Sequence, residues 1–384
     1  MSKTRPRFQT ESIVKTWPMV RLGDVCDEIK DRIQPSKISV GEYVTTDNMV
    51  KDRGGIVQAE YVPSEVGLVE YHKGDVLIAN IRPYLKKIWL ADHDGGCSGD
   101  VVVFRSNADG LSSEYLYSVL SQDAYFEYVM QKPRGTKMPR GDRDWMKEFR
   151  FPLPPLSEQK EIVMRLEREL AAVEKMKKGF EIIAETAKAE FKAELKEVFE
   201  EISRGGAETR RLGDVCKNLD SRRVPITKSN REAGKYPYYG ASGVVDWVSG
   251  YIFDGDYLLV SEDGANLIAR STPIAFSVSG KIWVNNHAHI LAFSDLATQR
   301  FVEFYFASIK IDDLVTGAAQ PKLTQNALNS IEIPFPPLAD QREVVSRLDS
   351  AKARAEKLES KAREGVAVCE TMRKAILKEA FESE

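Results

Sequence analysis

The stretch Asn80-Ile81-Arg82-Pro83-Tyr84-Leu85-Lys86-Lys87 sets amide, guanidinium, phenol and ammonium groups close together, directly after a run that reads as a short strand. Guanidinium forks and side-chain amides match the donor and acceptor edges of bases, and ammonium groups hold phosphates. Asn285-Asn286-His287 offers paired amides, which suit adenine in a major groove. Tyr236-Pro237-Tyr238-Tyr239-Gly240-Ala241-Ser242-Gly243 offers Tyr238, Tyr239 and Ser242 on a backbone that glycines make flexible. A fourth feature occurs twice: Gly135-Thr136-Lys137-Met138-Pro139-Arg140 matches Gly317-Ala318-Ala319-Gln320-Pro321-Lys322 at an offset of 182. A Gly-x-x-x-Pro-basic loop at matching positions points to a clamp on a backbone or groove. An ordinary turn before the last helix of a domain is the plain alternative. Arg82, Asn285 and Asn286 are the candidates for base contacts, and Lys137, Arg140 and Lys322 for phosphate contacts. Asn80, Tyr84, Lys86, Lys87, Arg134, Arg222, Arg223, His287 and Gln320 complete the candidate set.

Catalytic signatures are missing. No Gly-x-x-x-x-Gly-Lys-Ser/Thr loop exists, because the Gly-Lys pairs at 234 and 280 lack the upstream glycine. No Gly-x-Gly-x-x-Gly follows a strand, and no Asn-Pro-Pro-Tyr or Asp-Pro-Pro-Tyr stretch of amino-methyltransferases occurs. His287-Ala288-His289 has metal-like spacing on a strand, but no Cys or carboxylate cluster stands beside it in the sequence, so no metal site is expected. Most carboxylates fall on helical stretches as solvated faces.

Charge is local rather than global. The net charge is −3. From 130 to 150 seven basic residues face three acidic ones, and from 217 to 235 six face two. The helical stretch 157–203 carries nine basic against twelve acidic residues. Positive charge therefore gathers in irregular Gly/Pro-containing loops, which can approach phosphates. A solvated surface is the plain reading of either patch alone, and finding one in each half weakens it.

These residues must be positioned by a duplicated frame. Arg21-Leu22-Gly23-Asp24-Val25-Cys26 recurs letter for letter at 211–216, an offset of 190. Pro152-Leu153-Pro154-Pro155-Leu156-Ser157-Glu158-Gln159 recurs as Pro334-Phe335-Pro336-Pro337-Leu338-Ala339-Asp340-Gln341, an offset of 182, which also links 195–200 to 377–382. Between these blocks, 27–130 and 217–312 are unlike each other. Each half carries a mixed segment and then a long helix. From Ile162 to Val198 and from Val344 to Ala380 apolar residues recur at steps of three or four. The Pro-Pro before each run marks a hard start, Gly205-Gly206 a stop, and Asp340 with Glu343 a capping pair. At 1.5 Å per residue each helix is roughly 65 Å long, and its stripe needs a partner. The other helix is the expected one, in an antiparallel coiled coil with a globular part at each end and an approximate two-fold axis.

Short strands are expected at 75–79, 100–104, 257–260 and 289–293, turns at 94–96 and 262–264, and helices at 113–130 and 297–309. The fold class is α+β. Its parts are a globular domain 1–156, a central helix 157–203, a second domain 204–338 and a C-terminal helix 339–384. With 42% apolar and 29% charged residues the chain is not disordered, and its 384 residues suit two or three domains. No apolar run of about 18 residues could span a membrane. The polar N-terminus is no secretory signal, and four scattered cysteines make no disulfide or zinc scaffold. A cytoplasmic protein is expected.

The layout resembles the specificity subunit of type I restriction–modification enzymes. The Arg-Leu-Gly-Asp-Val blocks at 21 and 211, the Pro-rich blocks at 152 and 334, Gly74 to Tyr84, and Asn285 to His289 carry the likeness over nearly the whole chain. The resemblance implies that each globular part is a target recognition domain for one half of a split double-stranded DNA site. It implies helices that set the spacer and dock two modification (methyltransferase) subunits. Restriction (translocase/nuclease) subunits, and cofactors held by the partners (S-adenosylmethionine, ATP and Mg), follow from the same likeness; none is expected in this chain. A DNA-modifying enzyme with an unrecognised site and a coiled-coil scaffold with protein-binding ends stay open on the residues alone.

Overall fold

The computed structural model describes residues 17–317 and 320–381. They form two compact units, one of residues up to 179 together with those from 365 onward, the other of residues 180–364.

The first unit opens with β1 (Met19–Arg21), the single turn α1 (Leu22–Val25) and β2 (Cys26–Glu28). Short strands follow: β3 (Arg32–Ile33), β4 (Tyr43–Val44), β5 (Leu68–Tyr71), β6 (Val76–Ala79), β7 (Ile88–Leu90), β8 (Gly95–Cys97) and β9 (Val101–Ser106). Helices α2 (Ser113–Leu120), α3 (Asp123–Val129) and α4 (Arg143–Lys147) lead to β10 (Arg150–Pro152) and the long helix α5 (Leu156–Arg204). The strands build two four-stranded sheets, β2-β9-β6-β7 and β3-β5-β8-β4. Val76–Ala79 and Val101–Phe104 are apolar at every position because both faces of their sheet are covered. Val76, Ile78, Val102 and Phe104 pack under α2 and α3, while Leu77 and Val103 meet Val44 and Tyr71 of the other sheet.

The second unit continues with β11 (Thr209–Arg211), α6 (Leu212–Val215), β12 (Lys217–Asn218), β13 (Ala233–Gly240), β14 (Gly243–Val248) and β15 (Phe253–Ser261). Next come α7 (Asn266–Ala269), β16 (Ala275–Val284), β17 (Ala288–Ala292), α8 (Leu296–Ser308), β18 (Val315–Thr316) and β19 (Lys322–Leu323). It closes with α9 (Gln325–Asn329), β20 (Glu332–Pro334) and α10 (Leu338–Phe381). Here one six-stranded sheet, β12-β17-β15-β16-β13-β14, replaces the pair of sheets, with Leu258 and Val260 against α8 and Leu259 and Ile290 on its other face.

The repeated motifs are the frame that carries these unlike sheets. β1 pairs with β10 as Met19↔Pro152 to Arg21↔Arg150, and β11 pairs with β20 as Thr209↔Pro334 to Arg211↔Glu332. The amide of Leu22 donates to Phe149 O at 2.8 Å, and that of Leu212 to Ile331 O at 2.8 Å. A Cβ on Gly23 would meet Lys147 Cβ at 3.0 Å, and one on Gly213 would meet Asn329 Cβ at 3.1 Å, so glycine gives both turns the same close packing. Gln159 and Gln341 are buried, and each Nε2 donates at 2.8 Å to a carbonyl of the preceding Pro-Pro block, Pro154 O and Pro336 O.

The long helices pair antiparallel within each unit. In the first, Ile162 and Leu166 share a core with Leu377, Ala380 and Phe381, and Lys177 Nζ meets Glu370 at 2.5 Å. In the second, Leu195 and Val198 pack with Leu348, and Lys188 meets Glu359 at 3.4 Å. The expected stripes are not buried throughout, since Met176, Ile183, Leu358 and Met372 are exposed. Toward the middle of the helices the buried stripe positions are mostly small, with Ala187, Ala351, Ala355 and Ala362 covered in the seam.

Other expectations change. Asp94-Gly95-Gly96 is no turn: Gly95–Cys97 is a strand, because glycine lets Glu42 O and the Tyr71 hydroxyl approach where a Cβ on Gly95 would lie 2.3 and 2.4 Å away. The helix expected at 113–130 breaks at Ser121-Gln122, where Ser121 O accepts from the Arg53 guanidinium. The C-terminal helix starts at Leu338, so Asp340 lies inside its first turn rather than capping it with Glu343. The flexible aromatic loop at 236–240 is strand β13, paired with both β14 and β16.

Candidate nucleic-acid interface

Ala318 and Ala319 of the second Gly-x-x-x-Pro-basic loop lie outside the described residues; the flanking residues tie both loops to their strand ends by matching hydrogen bonds. In the first unit Asn80-Ile81-Arg82 leaves the end of β6, and Ile81 bridges Arg140. The amide of Arg82 donates to Pro139 O at 2.7 Å and that of Gly141 to Asn80 O at 3.0 Å. In the second unit Glu262-Asp263-Gly264 leaves the end of β15, and Asp263 bridges Lys322. The amide of Gly264 donates to Pro321 O at 3.0 Å and that of Leu323 to Glu262 O at 2.8 Å. Each bond maps onto the other at the 182 offset. Gly135 (φ +81°) and Gly317 (φ +87°) both take the left-handed conformation that glycine adopts freely. The loop is therefore tied to the strand end in both units.

In the first unit the tied loop and strand end present Arg82, Tyr84 and Lys137 to solvent, and neither cation has an ion pair among the described residues. Arg82 holds φ +52° and leads into a 3-10 turn at Pro83–Leu85, which carries Tyr84 half exposed. Arg134 donates to Asp142 at 2.9 Å and Arg140 to Asp100 at 3.4 Å, so both stay exposed but paired. Lys86 is held by Asp123 at 2.7 Å and Lys87 by Thr46 O at 2.6 Å. The expectation that Asn80 reads a base is corrected: its side chain is buried, and Gly141 lies so close that a Cβ there would sit 2.8 Å from Asn80 Oδ1. The positive run at 130–150 is also partly neutralised, since Arg143 and Lys147 both reach Glu28.

In the second unit Ser242, Asn286, His287, Gln320 and Lys322 are exposed. A chain of contacts gathers their loops. Ser261 Oγ donates to Ala241 O at 2.5 Å, the Glu262 amide to His287 O at 2.9 Å, and His287 Nδ1 lies 2.9 Å from Asp263. Asn285 is buried and its Oδ1 accepts from the His287 amide at 2.8 Å, so it shapes the loop that presents Asn286. Tyr238 is fully buried, its hydroxyl accepting from the Ile226 amide at 3.0 Å, and Tyr239 is half-buried. Arg222 is exposed over the Phe253 ring at 5.1 Å.

Arg223 is not a surface cation. It joins a network that local sequence could not show, because its members are 69 and 39 positions apart. Asp220, Glu262 and His289 lie with their ligand-type atoms within 4.8 Å of one another, which corrects the expectation that no carboxylates stand beside the His-x-His pair. His289 Nδ1 faces Asp220 at 2.5 Å and Nε2 faces Leu323 O at 2.8 Å. Arg223 reaches Glu262 at 2.5 Å and Asp220 at 3.5 Å, and Lys322 reaches Glu262 at 3.1 Å. The carboxylates thus already carry the protein's own cations, and the network ties β17 to the second unit's loop.

Burial alone would raise the pKa of Asp220, but the His289 hydrogen bond and charge, the Ile290 amide and Arg223 outweigh it and hold it below the usual carboxylate range. Burial likewise opposes, and Arg223, Lys322 and His289 outweigh it, at Glu262. A depressed folded-state value stabilises the fold above the unfolded value of about 4 and is lost as pH falls through the folded value. The second unit should lose stability as pH drops below about 4. Glu262→Gln should flatten that decline, read as urea midpoints at a series of pH values. An identical acid profile for wild type and variant would rule the network out as its source.

A second network, in the first unit, was equally hidden. Asp123 holds Arg53, Lys86 and Lys374, while Asp52, Arg53, Arg82 and Lys86 all have positive φ. The amides of Asp52 and Arg53 donate to Leu85 O and Lys86 O at 2.9 Å each, so two strained segments brace one another. Only Gly54-Gly55 hints at this in the sequence.

Taken together, the chain is a two-domain protein whose duplicated frame presents two different polar, basic loop surfaces. It belongs to the family of the type I restriction modification DNA specificity domain, which matches residues 14–181 and 205–366. The Haemophilus influenzae protein S.HindORF215P, which carries the name of a type I restriction enzyme specificity subunit, is 35% identical over 142 residues, 37% of this chain and 36% of that protein. This match therefore spans little more than a third of the relative. The MjaVIII specificity subunit of Methanocaldococcus jannaschii is 24% identical over 88% of this chain and 86% of its own. Among solved structures, the HsdS subunit of Thermoanaerobacter tengcongensis aligns with TM-score 0.59 and 26% identity over 95% of this chain and 96% of that one. A chain from a structure addressing complex assembly and conformational transition of the type I R-M system aligns with TM-score 0.78 and 24% identity, over 95% and 97%. No helix among the described residues is long and apolar enough to cross a membrane.

Proposed function

We propose that this chain is the non-catalytic, DNA-reading subunit of a cytoplasmic type I restriction–modification complex, each domain reading one half of a bipartite duplex target. The observation that carries the reading is the paired clamp. The same backbone bonds recur in both units, while the side chains they present differ: Arg82 and Lys137 in one, Asn286, His287 and Lys322 in the other. A shared grip with unlike contacts is what a split target with unlike halves requires. Two modification subunits dock on the long helices, which set the spacer; exposed Met164, Ile182, Ile183 and Val368 on those helices are apolar surface of the kind a partner covers. Methyl transfer, with S-adenosylmethionine, belongs to the modification subunits, and ATP- and Mg-dependent cleavage to the restriction subunits. This agrees with a sequence that carries no cofactor or nucleotide loop.

The test is to map modified adenines genome-wide in cells carrying the chain and its modification subunit. A two-part motif is expected. Arg82→Ala should relax one position of one half at a cost of about 1–3 kcal/mol. Lys137→Ala should weaken binding to all sequences alike and lower the salt slope by about one unit. A continuous motif, or one untouched by Arg82→Ala in position and strength, would remove this assignment.

A further inference from the structure

At the entry to the duplicated frame a large side chain in the first unit is exchanged for a small one in the second. In the first unit the Trp17 indole packs at the edge of the core, and its N–H donates to Glu158 Oε2 at 2.8 Å. Glu158 is the third residue of α5. In the second unit the equivalent carboxylate is Asp340, the third residue of α10. The equivalence reaches the neighbouring backbone: the Leu153 amide donates to Pro18 O at 2.9 Å, and the Phe335 amide to Glu208 O at 2.7 Å. The residue before Pro18 is Trp17, and the residue before Glu208 is Ala207.

Where the first unit has an indole, the second has a cavity of about 860 Å³. Ala207, Phe335 and Asp340 line it. The Phe335 ring forms an aromatic wall, with the Arg210 guanidinium 5.2 Å from its centre. Asp340 is exposed, whereas Glu158 is half-covered. The lining is also acidic: Glu208, Asp214, Asp295 and Asp340 face it against Arg210 alone. Arg210 is taken by Glu208 at 2.8 Å and Asp295 is met by Arg342 at 3.1 Å, which leaves Asp214 and Asp340 without an ion pair among the described residues. The site thus offers an aromatic wall, an acceptor for an indole N–H and surplus negative charge.

We propose that this cavity docks a tryptophan carried beside a basic residue on a segment of the modification subunit. The inference rests on the reading that such subunits assemble on this chain. The chemistry of the occupant is read from Trp17, which fills the equivalent place in the first unit and donates to the equivalent carboxylate, and from the charge of the lining. A consequence is that the two halves of the frame are unequal: the first is closed by its own residue, and the second is open to a partner's.

Two measurements test it. The probe for the site is the capped pentapeptide Val-Lys-Thr-Trp-Pro, the sequence of residues 14–18, with 5-fluorotryptophan observed by fluorine NMR against the full chain. Saturable binding of one peptide per chain is expected. Ala207→Trp, which places the chain's own indole where the first unit has one, should weaken it by about tenfold or more, and Asp340→Asn, which keeps the volume, by about tenfold. No saturable binding, or equal binding by wild type and both variants, overturns the proposal. The occupant is tested by sedimentation of the full chain with its modification subunit, where Ala207→Trp should weaken assembly about tenfold. If wild type and Ala207→Trp assemble alike, the indole site is wrong and the specificity-subunit reading stands. If wild type does not assemble with the modification subunit at all, that reading falls and the proposal with it.

Discussion

Gln159→Leu is expected to destabilise the first unit by roughly 3 kcal/mol, a fall of about 6–12 °C in its melting temperature. Gln159 is completely buried where the Pro-rich block enters α5. Its Oε1 accepts from the Ser112 amide at 2.9 Å, and its Nε2 donates to Gly110 O at 2.6 Å and Pro154 O at 2.8 Å. Leucine has a similar volume but answers none of these groups, and an orphaned buried polar group costs about 1–3 kcal/mol. Gln341→Leu should cost less, roughly 2 kcal/mol, because only the Thr298 hydroxyl and Pro336 O lose a partner, and the hydroxyl can rotate toward another acceptor. Hydrogen exchange resolved by unit, with calorimetry, measures both. Unchanged melting for Gln159→Leu would mean that this glutamine does not fasten helix to domain, and a larger loss for Gln341→Leu would overturn the ranking by hydrogen-bond partners.

That pair also shows what could be read from the sequence. Gln159 and Gln341 were visible as members of a repeated block, because a frame used twice leaves the same letters twice. The structure supplies the reason for the letters: glycines 23 and 213 sit against Lys147 and Asn329, and the glutamines seal the Pro-Pro carbonyls. The helices were legible from their steps of three and four, since a one-sided stripe has no other regular solution. The repeated Gly-x-x-x-Pro-basic loop was legible, and both its glycines have positive φ.

The rest was hidden for physical reasons. A side chain's burial depends on which strand passes over it. Asn80, Asn285 and Tyr238 looked like surface readers and are buried, whereas their neighbours Arg82 and Asn286 point outward. Arg223 belongs to a buried network whose partners come from the residue that follows β15, from β17 and from the turn before Arg223 itself, a closure that no local pattern encodes. Asp52, Arg53, Arg82 and Lys86 take positive φ without being glycine, held there by tertiary contacts rather than by intrinsic preference. Strand β8 reads as a turn in the sequence because Gly95-Gly96 serves close approach there, a use of glycine that looks the same in sequence as a bend.

Exchanging the segment between Lys217 and Leu323 for that of a relative should replace one half of the modified motif entirely and leave the other half letter for letter the same. The cut points follow from the structure. β11 and α6 precede the segment, and α9 and β20 follow it; these four pack together as the frame, with Gly213 against Asn329 and Arg210 opposite Ile333. A cut at 330 would exchange α9 and with it Asn329, which packs against Gly213, so the shorter segment is the better module. The segment touches α5 through aromatic rings: Phe199 lies 5.3 Å from Phe301 and 5.2 Å from Tyr305, both edge-on. A donor with aromatic side chains at those positions should keep this packing, worth about 0.5–1.5 kcal/mol per ring pair beyond the area buried. A donor without them should fold less stably and modify its sites more weakly, yet still read the new half-site. The measurement is the motif of modified adenines in cells expressing the exchanged chain with its modification subunit. A change in both halves of the motif, or in neither despite full activity, would show that recognition is not confined to one module, and the clamp at Lys322 would then be a structural tie rather than part of a reading surface.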